Sequence, residues 1–136
     1  MALKITLKPR EKMIIGGAAL INNSRSSCEL IIENKIPVLR QKDIMSEADA
    51  DSPCRRLYFV IQLMYIDNEN ISTYTKQYWN FVKDIVQAAP SMTVVIDAIS
   101  EYILQQKYYQ ALKLAQKLID YEQEVISSVH ESHESL

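Results

Sequence analysis

Apolar and polar positions alternate at the start of the chain. Leu3, Ile5 and Leu7 point one way and Lys4, Thr6 and Lys8 the other, which is the period of a half-buried strand. Pro9-Arg10 breaks the run. Residues 12–15 and 18–21 are two further short runs with Gly16-Gly17 between them. Two residues able to take positive φ between strands predict a hairpin. The polar stretch 22–27 predicts a turn, and residues 28–33 a fourth strand with Leu30 and Ile32 inward. Residues 36–39 read as a last strand, which Pro37 assigns to an edge.

At Ser52-Pro53 the pattern changes. Ser52 is placed to accept from first-turn amides and Pro53 fits the first helical position, where no donor is lost. From Leu57 to Ile66 only Gln62 interrupts an apolar run. A helix apolar on nearly all sides and too short to cross a bilayer belongs in a core, so the rest of the chain is expected to pack on it. Asp67-Asn68-Glu69-Asn70 ends it. Ile71, Tyr74, Tyr78, Phe81, Ile85 and Ala89 form the stripe of a second helix, which Pro90 stops. Ser91 is the expected cap of a third helix, with Met92, Val95, Ile96, Ile99 and Ile103 as its stripe. A fourth runs from about Tyr108 to about Val129, with Tyr108, Ala111, Leu112, Ala115, Leu118, Ile119 and Val125 inward. The expected fold is α+β: a small N-terminal antiparallel β-sheet or barrel followed by a four-helix C-terminal part. The length of 136 residues suits one domain. Within it, 1–42 is a β-rich basic part, 43–52 an acidic linker, 53–129 the helical part and 130–136 a frayed tail.

Charge sharpens this division. Residues 1–42 hold eight basic side chains against three acidic, whereas 43–136 hold seven against fourteen. A basic front on an acidic body suits a polyanion partner, although a solvated sheet face has the same composition. Apolar residues at 48% and charged residues at 24% are ordinary for a globular chain, and no apolar run reaches membrane length. The N-terminus has no basic-then-apolar signal region, so the protein is expected in the cytoplasm, with no membrane partner. Cys28 and Cys54 are isolated, without metal-ligand spacing.

No catalytic constellation is visible. Both histidines, His130 and His133, lie in the tail, and no Gly-rich loop leads from a strand into a helix. Asp49 and Asp51 read as solvated linker charge. Most of the eight tyrosines fall on helical stripes, where core packing is the simpler role and base stacking the alternative. Arg55 and Arg56 stand out because they occupy the first turn of the central helix, where the macrodipole disfavours cations. Either a carboxylate such as Asp49 or Asp51 pairs them, or they hold phosphate at the helix N-terminus. An enzyme, a cofactor site and a metal site are therefore not expected.

The chain resembles the flagellar biosynthesis repressor FlbT family. The resemblance is carried by Met1-Ala2-Leu3-Lys4 with Leu7-Lys8-Pro9, by Ile15-Gly16-Gly17-Ala18, by Leu30-Ile31-Ile32-Glu33-Asn34 and by Pro37-Val38-Leu39-Arg40. It continues through Glu47-Ala48-Asp49-Ala50-Asp51-Ser52-Pro53, Arg56-Leu57-Tyr58-Phe59 and Ile61-Gln62-Leu63-Met64-Tyr65. Ala88-Ala89-Pro90-Ser91, Ile96-Asp97-Ala98-Ile99 and Tyr109-Gln110-Ala111-Leu112-Lys113-Leu114-Ala115 extend it to the C-terminal part. Arg10 departs from it, because the pattern has glycine after Lys8-Pro9. The resemblance implies a cytoplasmic post-transcriptional regulator of flagellin expression. Such a protein acts on the 5′ untranslated region of flagellin mRNA and usually lowers the message's stability or translation, although some relatives act as activators.

The residues add a candidate RNA-binding surface: Lys4, Lys8, Arg10, Lys12, Arg40, Lys42, Arg55 and Arg56. Residues 1–42 contain no Phe, Tyr or Trp, so contact there would be to phosphates rather than to stacked bases. The alternative is a protein-interaction adaptor or chaperone-like factor in flagellum assembly. Its partner would be flagellin or another flagellar regulatory protein, with effects on RNA only indirect. Edge strands leave a homo-oligomer open.

Overall fold

The structure, a computed structural model, describes residues 2–134 and the side chains of residues 2–126. It has the expected α+β layout. Five strands, β1 (Leu3–Leu7), β2 (Lys12–Ile15), β3 (Ala18–Ile21), β4 (Cys28–Ile32) and β5 (Val38–Arg40), precede four helices. These are α1 (Pro53–Ile66), α2 (Ile71–Ala88), α3 (Thr93–Leu104) and α4 (Tyr108–Glu134). The chain divides into two units, Met1–Ile44 with Ile66–Glu69, and Met45–Tyr65 with Asn70–Leu136.

The β unit contains two small antiparallel sheets. β1 pairs with β4 from Leu3↔Ile32 to Leu7↔Cys28, and β2 lies between β3 and β5. Ile5, Leu7 and Met13 are buried together, with Ile15, Cys28, Leu30, Ile32 and Val38 packed against them. The period-two reading holds on β4, where Ile31 faces solvent while Leu30 and Ile32 are half-buried. β5 is an edge strand that starts just after Pro37, as the missing donor requires. The β2–β3 hairpin turns on Gly16 and Gly17, with φ of 54° and 89° and register Ile15↔Ala18. That is a two-residue turn only glycine-like residues enter cheaply.

The β1–β2 connection is a tight turn closed by the Glu11 N–H on the Lys8 carbonyl at 3.1 Å. Pro9 occupies its second position, and Arg10, at the third, has φ 66°. This is a left-handed conformation, which glycine enters at less cost than arginine. Asn22 is buried and donates to the Leu7 and Ser26 carbonyls at 2.9 Å each, while its Oδ1 accepts from Ser24. One amide thus organises the polar turn that follows β3.

In the helical unit α1 buries Cys54, Leu57, Tyr58, Val60, Ile61, Gln62 and Met64. Gln62, the sole polar interruption, is satisfied: its amide donates to the Met45 carbonyl at 2.9 Å and accepts from the Met45 N–H at 2.8 Å. α2 is amphipathic and fully buries only Tyr78 and Ile85. The Tyr78 hydroxyl lies 2.7 Å from the Ser100 hydroxyl, and its ring meets Trp79 edge to face. Ser91 does not cap α3. A 3-10 turn, Pro90–Met92, leads into the helix, and the Ser91 hydroxyl approaches that of Tyr121 at 3.3 Å instead. On α4 the predicted stripe is buried from Ala111 to Ile119, but Val125 is exposed. The backbone of α4 is helical to Glu134, past Val129, while the side chains of the expected tail lie outside the described residues.

α3 and α4 are joined through Gln106, at φ 60°. The Lys107 N–H bonds the Tyr102 carbonyl at 2.8 Å and the Gln106 N–H bonds the Ile103 carbonyl at 3.0 Å. This is a Schellman cap with glutamine where glycine is cheaper. Gln106→Gly is expected to raise unfolding free energy by about 0.5–1 kcal/mol, measured by urea titration at constant m.

Candidate nucleic-acid interface

The predicted cations fall into three groups. Lys8, Arg10 and Lys12 flank the β1–β2 turn, and Lys42 follows β5 in the 3-10 turn Gln41–Asp43. Backbone pairing draws these together. Met13 pairs with Arg40, and one step further the Lys12 N–H donates to Gln41 Oε1 at 2.7 Å, which ties the start of β2 to the 3-10 turn that contains Lys42. The Arg10 N–H donates to the Asn22 carbonyl at 2.7 Å, and its guanidinium donates to Asn23 Oδ1. Lys8, Arg10, Lys12 and Lys42 are all exposed, and none forms an ion pair with a carboxylate among the described residues.

Arg40 and Lys4 differ from these. The Arg40 Nη2 donates to the Thr6 carbonyl at 2.9 Å and pairs with Glu11 at 3.3 Å, linking β5 to β1 and to the turn. Arg40 is a positioning residue there, and its charge is already answered. Lys4 lies four residues before Lys8 on the same exposed side of β1 and pairs with Glu29 across the strands at 3.5 Å. Both partners are about two-thirds exposed, so the pair is worth little and opens easily.

Glu11 is the electrostatic centre of this end of the β unit. The Lys8 backbone N–H, 2.9 Å from its Oε1, holds its carboxyl below the ordinary value of 4.5; partial burial opposes this, and Arg40 adds to it. A lowered carboxylate stabilises the fold fully above its unfolded pKa and loses that contribution as pH falls through the folded one. Stability of the native chain should therefore fall as pH drops below about 4.5. Glu11→Gln should be less stable at neutral pH and show a shallower acid decline, measured by urea unfolding across that range.

Arg55 and Arg56 belong to the helical unit. The Arg55 N–H donates to Ser52 Oγ at 3.2 Å, so Ser52 caps α1 as its sequence position predicts. The helix N-terminus, however, is already occupied by an anion from the same chain. Glu122 of α4 accepts from Ser52 Oγ at 2.5 Å and from the Cys54 N–H at 3.2 Å. The macrodipole is thus answered by a built-in carboxylate rather than left open for phosphate. Arg55 pairs with Asp51 at 3.3 Å, the carboxylate partner that the sequence offered. Arg56 is exposed and lines a hollow of about 540 Å³ with Glu47, Phe59, Tyr74 and Phe81.

Sequence reasoning missed Glu122. The signal was there: counting from Ala115, Leu118 and Ile119, position 122 falls on the inward stripe of α4, where an acid needs a partner. The same arrangement governs Cys54. Burial, reinforced by Glu122, pushes its thiol up to about 12, so it is no nucleophile. Among the described residues no group of histidine, cysteine and acids is placed to hold a metal, and no helix is long and apolar enough to cross a membrane.

Comparison with known proteins gives a consistent result. Residues 3–126 match the family model described as flagellar protein FlbT. A protein of Bradyrhizobium diazoefficiens named probable flagellum biosynthesis repressor protein FlbT 1 is 39% identical, over 98% of this chain and 90% of its own. The flagellum biosynthesis repressor protein FlbT of Caulobacter vibrioides is 35% identical, over 95% of this chain and 92% of its own. One from Rhodopseudomonas palustris, also named a probable repressor, is 37% identical over 93% and 99%. No solved structure matches the chain.

Proposed function

The chain belongs to the FlbT family of flagellar proteins, and on that premise we propose that it is a repressor of flagellar expression acting after transcription, by binding the 5′ untranslated region of flagellin mRNA. The repressor role is supported by the names its relatives carry. The RNA contact is supported by one observation: Lys8, Arg10, Lys12 and Lys42, at one end of the β unit, are exposed cations that form no ion pair among the described residues. Lys4 joins them once its exposed pair with Glu29 opens, while Arg40 holds the turn that presents them. Arg55 is already paired with Asp51, and Arg56, exposed on the helical unit, is not needed for this contact. Affinity then comes from the phosphate backbone, and selection among messages from the shape of the RNA. Cleavage of the message falls to a separate nuclease.

The test is direct binding of the purified chain to a flagellin 5′ untranslated region as salt is raised. With about four phosphates neutralised, log affinity should fall against log salt with a slope near −3. Binding that ignores salt, or that vanishes when co-purifying protein is removed, would favour the adaptor reading instead.

A further inference from the structure

We propose that β3 is a self-pairing edge: two copies of this chain join β3 to β3 antiparallel, uniting their three-stranded sheets. Of the five described strands, β3 is the one without a charged residue. The others carry Lys4, Lys12, Glu29 and Arg40. β3 ends its sheet, and all its residues are exposed, Leu20 at 41% and Ile21 at 50%. Charge or proline ordinarily blunts such an edge. β5, at the far edge, has Pro37 before it and ends in Arg40, whereas β3 has neither device.

The hairpin register determines which backbone groups are free. Ile15↔Ala18 closes the two-residue turn, and the Asn22 N–H bonds the Glu11 carbonyl at 3.1 Å, so residues 18, 20 and 22 face β2. Ala19 and Ile21 therefore present N–H and C=O outward, and no described residue bonds them. Two-fold pairing about Leu20 sets Ala19 opposite Ile21 of the second copy, and each such pair exchanges both backbone hydrogen bonds.

The side chains favour a second copy over a foreign strand. Ala19 lines a hollow of about 280 Å³ with Ile14, Ile21 and Ile44, and is the smallest of them. In this register Ile21 of the second copy lies across from Ala19 on the same face. One strand thus carries both the bulk and the space for it, which is the self-complementarity of a two-fold interface. On the other face Leu20 meets its own copy beside buried Met13, extending the apolar row. The two Lys12 side chains stay two residues along and three strands across from each other, roughly 16 Å, which exceeds the ~8 Å screening length at physiological salt. So short an interface predicts a dissociation constant of roughly 10–100 μM.

Sedimentation equilibrium of the full chain, without RNA, should show monomer and dimer in exchange between about 1 and 300 μM. Ile21→Lys should weaken association at least about ten-fold, whereas Ile31→Lys, at a more exposed position on β4, should not. Leu20→Cys in a Cys28→Ser background tests the register. Facing residues of a non-hydrogen-bonded pair have Cα atoms about 4.5 Å apart, within disulfide reach. Mild oxidation should therefore link two chains at position 20, and Ile31→Cys in the same background should stay unlinked. A chain monomeric throughout the range, or a dimer unlinked at position 20, overturns the proposal, as does a folded Ile21→Lys chain that dimerises like the parent. A chain that links at position 20 to a different protein in cell extract, and not to itself, overturns the second copy as occupant.

Discussion

Lys8→Gln, Arg10→Gly, Lys12→Gln and Lys42→Gln together should weaken RNA binding by roughly several hundred-fold at about 0.1 M salt. Each phosphate contact on a single strand contributes about 0.7 to the logarithmic salt slope. Four contacts make the parent lose about 50-fold between 50 and 200 mM salt, and the variant should lose little of its remaining affinity over that range. The choice of glycine at position 10 separates binding from folding. Arg10 holds φ 66°, which glycine adopts without strain. The variant should be as stable as the parent, or more so by up to about 1 kcal/mol. Lost binding with full stability, read by gel shift and urea titration on one preparation, would tie the effect to charge. A stable variant that still binds would remove the proposed surface.

Glu122→Ala should destabilise the chain by about 2–3 kcal/mol. Two groups lose a charged acceptor at once: the Ser52 hydroxyl and the Cys54 N–H in the first turn of α1. The macrodipole loses its counter-charge as well. Thermal denaturation should show a midpoint lower by roughly 5–10 °C. Glu122→Gln keeps an acceptor but no charge, and should fall between the two. In neither variant should Cys54 become reactive to a thiol reagent at neutral pH, because burial is the larger cause of its raised pKa.

The elements were legible wherever a period ran long enough. Alternation marked β1, and the glycine pair marked the hairpin after it. Three- and four-residue spacing located the last three helices, the Ser52-Pro53 start and the apolar run after it located α1, and Pro90 and residues 67–70 ended two of them. What the sequence did not carry was pairing between distant segments. Nothing in residues 3–7 names residues 28–32 as their partner rather than 12–15, so one sheet or a barrel was expected where two small sheets formed. The candidate surface was legible as a list of cations but not as a set of free ones. Whether Arg40 is spent on Glu11 depends on a register between β2 and β5 that short strands do not announce. Ser91 shows the limit of local signals. A good capping residue after proline was diverted by Tyr121, thirty residues away in the chain.

The single tryptophan, Trp79, and every tyrosine and phenylalanine belong to the helical unit, so the β unit is optically silent in the near ultraviolet. Intrinsic fluorescence, and a far-ultraviolet signal dominated by four helices, would both follow the melting of one half. Agreement between those two probes would therefore not demonstrate a concerted transition. An indole introduced at Ile31, which already faces solvent on β4, would give the half that carries Lys8 and Arg10 a voice of its own.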